Sequence, residues 1–175
     1  WPTPKLDLDA EVRRYEGEFA KMKREFADVE FIANKLVTKP DEVSELKDLL
    51  KNVDGILVIH LSMGIAGILN EILRNNRPTM LFAAPYSGHE WTSFGALRKK
   101  EEGALLECIL SSDFKDLAVA VRPFRAIHHL REAKIVNVST RAPASEYLKG
   151  VADKFGTEIK TIGREPILAG YESID

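Results

Sequence analysis

The apolar positions along the chain switch repeatedly between two spacings. In "LDAEVRRYEGEFAKMKREF", Val12, Tyr15, Phe19, Met22 and Phe26 recur at steps of three and four, which predicts an amphipathic helix. "VEFIANKLV" then reads as a strand. After the turn at Lys39, Pro40 and Asp41, "EVSELKDLLKN" returns to helical spacing through Val43, Leu46, Leu49 and Leu50, with Asp41 as the expected cap. "GILVIHL" is an unbroken apolar run, too short for a helix and rich in branched residues, as expected of a strand covered on both faces. "MGIAGILNEILRN" predicts the next helix through Ile65, Ile68, Leu69, Ile72 and Leu73, and Pro78 introduces "TMLFAA" as another buried strand.

The alternation runs on. "SFGALRKKEEG" predicts a short helix ended by Gly103, and "ALLECIL" a strand closed by Ser111, Ser112 and Asp113. From there to Ala133 the pattern is helical, with Pro123 expected to start a second segment as its first-turn residue. "KIVNVST" predicts a strand, "ASEYLKGVADKFG" a helix stopped at Gly156, and "TEIKTIG" a last strand. Strand and helix in alternation imply parallel strands joined by right-handed crossovers. The expected class is therefore α/β: a doubly wound, mostly parallel open sheet of five to six strands in residues 1–175, Rossmann- or flavodoxin-like, with helices on both faces. No linker or internal repeat divides it. Because the pattern begins with a helix, an initial strand is expected to be missing, as in a fragment or N-terminal region of something longer. The opening Trp1, in place of a methionine, fits that reading and also fits processing.

Composition narrows the partners. The 175 residues are 45% hydrophobic and 30% charged, ordinary for a globular protein with its own core. A formal charge of -2, with the two signs interspersed, leaves no electrostatic footprint for nucleic acid or anionic lipid. No apolar run approaches the roughly 18 residues of a membrane span, and the start lacks a signal-peptide layout. Cys108 is the single cysteine, so no disulfide framework or cysteine-rich zinc site is expected, and the cytoplasm is the default compartment.

In an open parallel sheet, ligands collect beyond the carboxyl ends of the strands, near a switch in strand order. Two loops are expected there. "HLSMGIAG" carries His60, Ser62 and Met63, while "AAPYSGHEW" carries Ser87, His89, Glu90 and Trp91. Together they can bind a polar ring, with the carboxylate and imidazole taking hydroxyl hydrogen bonds and the indole offering an apolar face. His89 and Glu90 could also move protons as an acid/base pair. Each residue has a plainer reading: Ser62 as a helix N-cap, His60 as a backbone-bonded strand end, Trp91 as a cap on the core and Glu90 as a solvated carboxylate. "SMGIAG" matches neither the dinucleotide fingerprint nor the phosphate loop, which disfavours NAD and ATP. Neighbouring His128 and His129 point about 100° apart on a helix and cannot easily share a metal. Cys108 reads as a core thiol, the run Arg98, Lys99, Lys100 as a solvated helix end, and Arg122 and Arg125 as salt-bridge partners more than anion ligands.

The order "DGILVIHLSMGIAGILNEILRNNRPTMLFAAPYSGHEW", followed by a short helix, a strand, a long helix and "KIVNVSTRAPASEYLKGVADKFGTEIKTIG", resembles the N-terminal Rossmann-like region of the L-fucose and L-arabinose isomerases and their relatives. The resemblance starts near Glu30 and rests on element order and the two loops. It implies aldose–ketose chemistry at a manganese site whose ligands come from later domains, and no matching metal ligands are found in this chain. It further implies a small-molecule carbohydrate as partner, with Ser62, His89, Glu90 and Trp91 as recognition residues; His60, Met63 and Ser87 on the same two loops complete the expected substrate-binding set. Packing in a homo-oligomer or against downstream domains completes that reading. The expected function is a sugar-isomerase-related domain contributing carbohydrate binding and assembly. The alternatives are a small self-contained enzyme using His89 and Glu90 on a polar substrate, or a non-catalytic sensing module.

Overall fold

The computed structural model describes residues 6–84 and 90–174. It is an α/β protein with parallel strands throughout, divided into two compact units at residues 124 and 125.

The first unit opens with α1 (Leu8–Lys21), whose first turn is capped by Asp7 accepting from the Ala10 amide at 2.9 Å. The helical stripe ends earlier than its spacing predicts. Met22 and Phe26 stay buried, but in turns beyond α1, and Phe26 stacks with Phe19 and Phe31 at centroid distances of 5.4 and 5.3 Å. Residues 29–37, expected as a strand, form none. Strand propensity expresses packing against a ladder neighbour, and among the described residues no strand pairs with this segment.

The helix expected after Pro40 is split into α2 (Pro40–Ser44) and α3 (Lys47–Leu50). Asp41 is not its cap. Lys39 is the boundary residue, Pro40 takes the first helical position, where its missing N–H costs nothing, and the Glu42 carboxylate accepts from the amides of Thr38 and Lys39 at 2.6 and 3.2 Å. The Thr38 amide, more than any other group, holds the Glu42 carboxyl below the usual carboxylate range.

β1 (Ile56–His60), β2 (Thr79–Ala83) and β3 (Leu106–Leu110) form one parallel sheet in the order β1-β2-β3. β1 and β2 are joined by α4 (Ala66–Leu73). Between β2 and β3 lie a 3₁₀ turn at Glu90–Ser93, α5 (Phe94–Leu97) and a second 3₁₀ turn at Glu101–Gly103. β2 is wholly buried because it is central. Its Met80 and Phe82 pack against Tyr15 of α1 and against Leu117, Ala120 and Val121 of α6 (Asp116–Glu132). Leu81 faces the other way, onto Leu69 and Leu73 of α4 with Phe94 and Leu97 of α5. A third cluster joins Val43, Leu50 and Ile72, with Ile56 and Val58 of β1 packed on it. Helices thus cover both faces. Gly55 precedes β1 because the Phe124 ring lies over it: a Cβ there would stand 2.0 Å from that ring.

α6 runs unbroken through Pro123, against the expectation of two segments. Buried Leu117, Ala120 and Val121 anchor the turns before the proline, and this packing offsets the missing hydrogen bond.

The second unit pairs β4 (Lys134–Val138) with β5 (Glu158–Ile162) in parallel, Lys134 opposite Glu158, through the crossover α7 (Ser145–Phe155). α7 stops where predicted: Gly156 is left-handed at φ 72°, its amide bonded to the Ala152 carbonyl at 2.8 Å. The Thr157 hydroxyl donates to the Leu130 carbonyl at 2.6 Å. α8 (Glu165–Glu172), not anticipated from the pattern, buries none of its residues.

Candidate functional site

β1 and β2 are hydrogen-bonded neighbours running the same way, with His60 opposite Ala83. Adjacent strands lie about 4.8 Å apart, so the loop leaving His60 and the chain leaving Ala83 start side by side at the carboxyl edge of the sheet. The strand order is sequential, however, so the expected reversal does not fall between these two strands.

His60 has no exposed surface and is hydrogen-bonded or otherwise engaged within the protein. It is the last residue of β1. Ser62 is half-buried and Met63 is 59% exposed, both at the surface where a ligand would arrive. Ser62 is not the helix cap: Gly64, at φ +83°, turns the backbone out of the helical region, and α4 starts at Ala66 behind Ile65. The left-handed turn separates the hydroxyl from the helix it was expected to cap.

Ser87 and His89 lie outside the described residues. Glu90 opens the 3₁₀ turn Glu90–Ser93, and Trp91 within it is half-buried. The structure therefore places His60 at the end of β1, with Ser62 and Met63 on the loop that follows, and ends the adjoining β2 beside it at Ala83.

A cavity of about 660 Å³ lies beside β1 and ends at Ser62, Met63 and Gly64. Its volume is typical of a ligand pocket, yet its chemistry is apolar. Ile56 to Ile59 form one side and Val43, Leu50 and Ile72 another. Its polar members satisfy one another or nearby groups: Asn34 donates to Glu16 at 2.9 Å, and Lys35 pairs with Glu45 at 2.8 Å. Sequence reading missed this cavity, although "GILVIHL", apolar on both faces, carried the signal of a strand meant to be covered.

Among the described residues no three histidine, cysteine, aspartate or glutamate side chains are grouped to hold a metal ion. The His128 and His129 rings meet edge to face at 5.7 Å, and His128 Nε2 lies 3.2 Å from the Glu132 carboxylate. Arg98 pairs with Glu107 at 2.9 Å. Burial first, and the Glu107 carboxylate second, push the Cys108 thiol up. Since only the thiolate attacks electrophiles, iodoacetamide at about pH 8 is expected to alkylate Cys108 several-fold more slowly in the native chain than in urea. The gap should narrow as pH rises. Equal rates would show that β3 does not shelter the sulfur.

No described helix is long and apolar enough to cross a membrane. Compared with protein families and with curated protein sequences, the chain gives no match.

Proposed function

We propose that this chain is a sugar-isomerase-related module that contributes carbohydrate recognition and assembly in the cytoplasm, without a catalytic metal centre of its own. The finer architecture, one open doubly wound sheet of five to six strands, belongs to the same proposal. The observation that carries it is the parallel pairing of β1 with β2, which launches both candidate loops from neighbouring strand ends. Ser62 supplies a hydroxyl at that edge and Met63 an exposed apolar contact. Ser87, His89, Glu90 and Trp91 supply, by residue type, the donors, acceptors and aromatic surface that a sugar requires.

The assembly half of the proposal is supported by apolar surface on the second unit. Ile135, Val136 and Val138 of β4 are each about half exposed, and Tyr171 and Ile174 are each 76% exposed. On this reading, neighbouring subunits or further domains would cover these apolar side chains.

A panel of aldoses, ketoses and polyols tests the reading by thermal shift. A ligand at a hundred times its Kd stabilises the folded state by about 2.7 kcal/mol, which raises Tm by roughly 5–10 °C in a chain of this size. Loss of that rise in both Ser62→Ala and His89→Ala is the expected result. A panel with no effect, or shifts that survive both substitutions, would remove the carbohydrate assignment. Aldose–ketose turnover by this chain alone would instead favour the self-contained enzyme.

A further inference from the structure

The last turn of α6 sets an imidazole against a carboxylate. His128 and Glu132 are four residues apart, so they lie one above the other on the same face of the helix. His128 Nε2 stands 3.2 Å from Glu132 Oε2, and both side chains reach solvent, at 45% and 68% exposure.

The plainer role for such a pair is an ion pair that supports the helix, and the spacing suits it poorly. A hydrogen bond between a charged N–H and a carboxylate closes to about 2.7–2.9 Å, and the 3.2 Å gap exceeds that. Nitrogen and oxygen donors on one zinc-like ion each lie about 2.0–2.2 Å from it, which puts them about 3.0 Å apart at a right angle and about 3.4 Å apart at a tetrahedral angle. The observed gap falls between those two values. Nε2 and Oε2 thus stand at the bite of a chelate.

The surroundings favour a cation there. α6 ends at Glu132, and the carbonyls of a helix's last turn together carry about half a negative charge. The Glu132 carboxylate adds its own. Arg125 and Arg131, three residues to either side of His128, oppose a cation, but each is already engaged in a contact within the protein. His129 does not join the pair: its ring meets that of His128 edge to face, with centroids 5.7 Å apart. Among the described residues no third histidine, cysteine, aspartate or glutamate completes the group, so water would take the other positions on the ion. The donor set also selects the ion. Magnesium and calcium take oxygen ligands, whereas zinc, nickel and copper accept imidazole.

We propose that His128 and Glu132 form a two-ligand site for a divalent transition cation of the zinc, nickel or copper class. With two protein ligands in place of the four of a structural zinc site, the ion exchanges with solution. When bound, it staples the last turn of α6 just ahead of Ala133, where the chain passes into β4. The two candidate loops and their carbohydrate take no part.

The test titrates the full chain with Ni²⁺ and follows its amide NMR signals. Bound Ni²⁺ is paramagnetic and broadens the signals of the nearest residues, so the expected result is a saturable loss of intensity centred on residues 128–132. Mg²⁺ at the same concentration is expected to leave them unchanged. His128→Ala and Glu132→Gln should each weaken binding about tenfold or more, while Glu132→His, which puts a second imidazole at the same spacing, should tighten it about tenfold. His129→Ala should leave the affinity within about twofold of the parent chain, since that ring is not a ligand. The gain in Glu132→His separates chelation from a general attraction of cations to acidic surface, and these exposed positions keep the variants folded. Three outcomes would overturn the proposal: no saturable broadening at residues 128–132, broadening there that survives His128→Ala, or an equal response to Mg²⁺.

Discussion

Phe82→Ala is expected to destabilise the first unit by about 3–5 kcal/mol. Phe82 lies on the central strand, 1% exposed, and its ring is held between α1 and α6. Truncation removes the transfer energy of the ring and leaves a void that two helices and a sheet cannot all close around. A domain has only about 5–15 kcal/mol in total, so the variant should lose a large share of its urea resistance. Val119→Ala, on the same α6 but 37% exposed, is the matched control and should stay within about 0.5 kcal/mol. If the two variants unfold at the same urea concentration, α1 and α6 do not pack on β2 as described.

Gly103→Ala is the second large effect, near 3 kcal/mol, at the upper end of overpacking costs because the obstacle is main chain. A Cβ at Gly103 would stand 1.9 Å from the Leu97 carbonyl oxygen and 2.6 Å from its carbon. That carbonyl already accepts from the Lys100 amide at 3.0 Å, so it cannot swing aside without opening the turn between α5 and β3. Gly17, in the middle of α1, has open space around its virtual Cβ. Gly17→Ala should therefore stabilise by about 0.5–1 kcal/mol, through helix propensity alone. Equilibrium urea unfolding of both variants decides the matter: opposite signs are expected, and a neutral Gly103→Ala would mean that the turn is built differently.

The parallel core was readable because its strands needed no alternation. β1, β2 and most of β3 announce themselves as short apolar runs, and the register then puts Leu81 and Phe82 on opposite layers. α1 and α7 were readable through their spacing, and Gly156 through its stop. What failed depended on neighbours. Residues 29–37 have a strand's composition but no ladder, and Phe31 instead joins the Phe19 and Phe26 rings. Pro123 should have broken α6, but the buried residues ahead of it decided otherwise. α8 has little apolar contrast to read and buries nothing.

The candidate site was legible as a place more than as a set of contacts. His60 follows four apolar residues, and it is fully buried at the end of their strand, an environment the run of apolar letters before it announces. Ser62 looked like a cap only because the left-handed backbone at Gly64 is a conformation, invisible as such in the string of letters.

α6 belongs to both compact units, since the division falls at Phe124, well before its last residue, Glu132. Anyone dissecting this protein into halves at that division would saw through a rod, the continuous α6. A piece ending at Phe124 would leave its last four carbonyls without amides to bind, so expressing the first unit alone calls for keeping the rod whole.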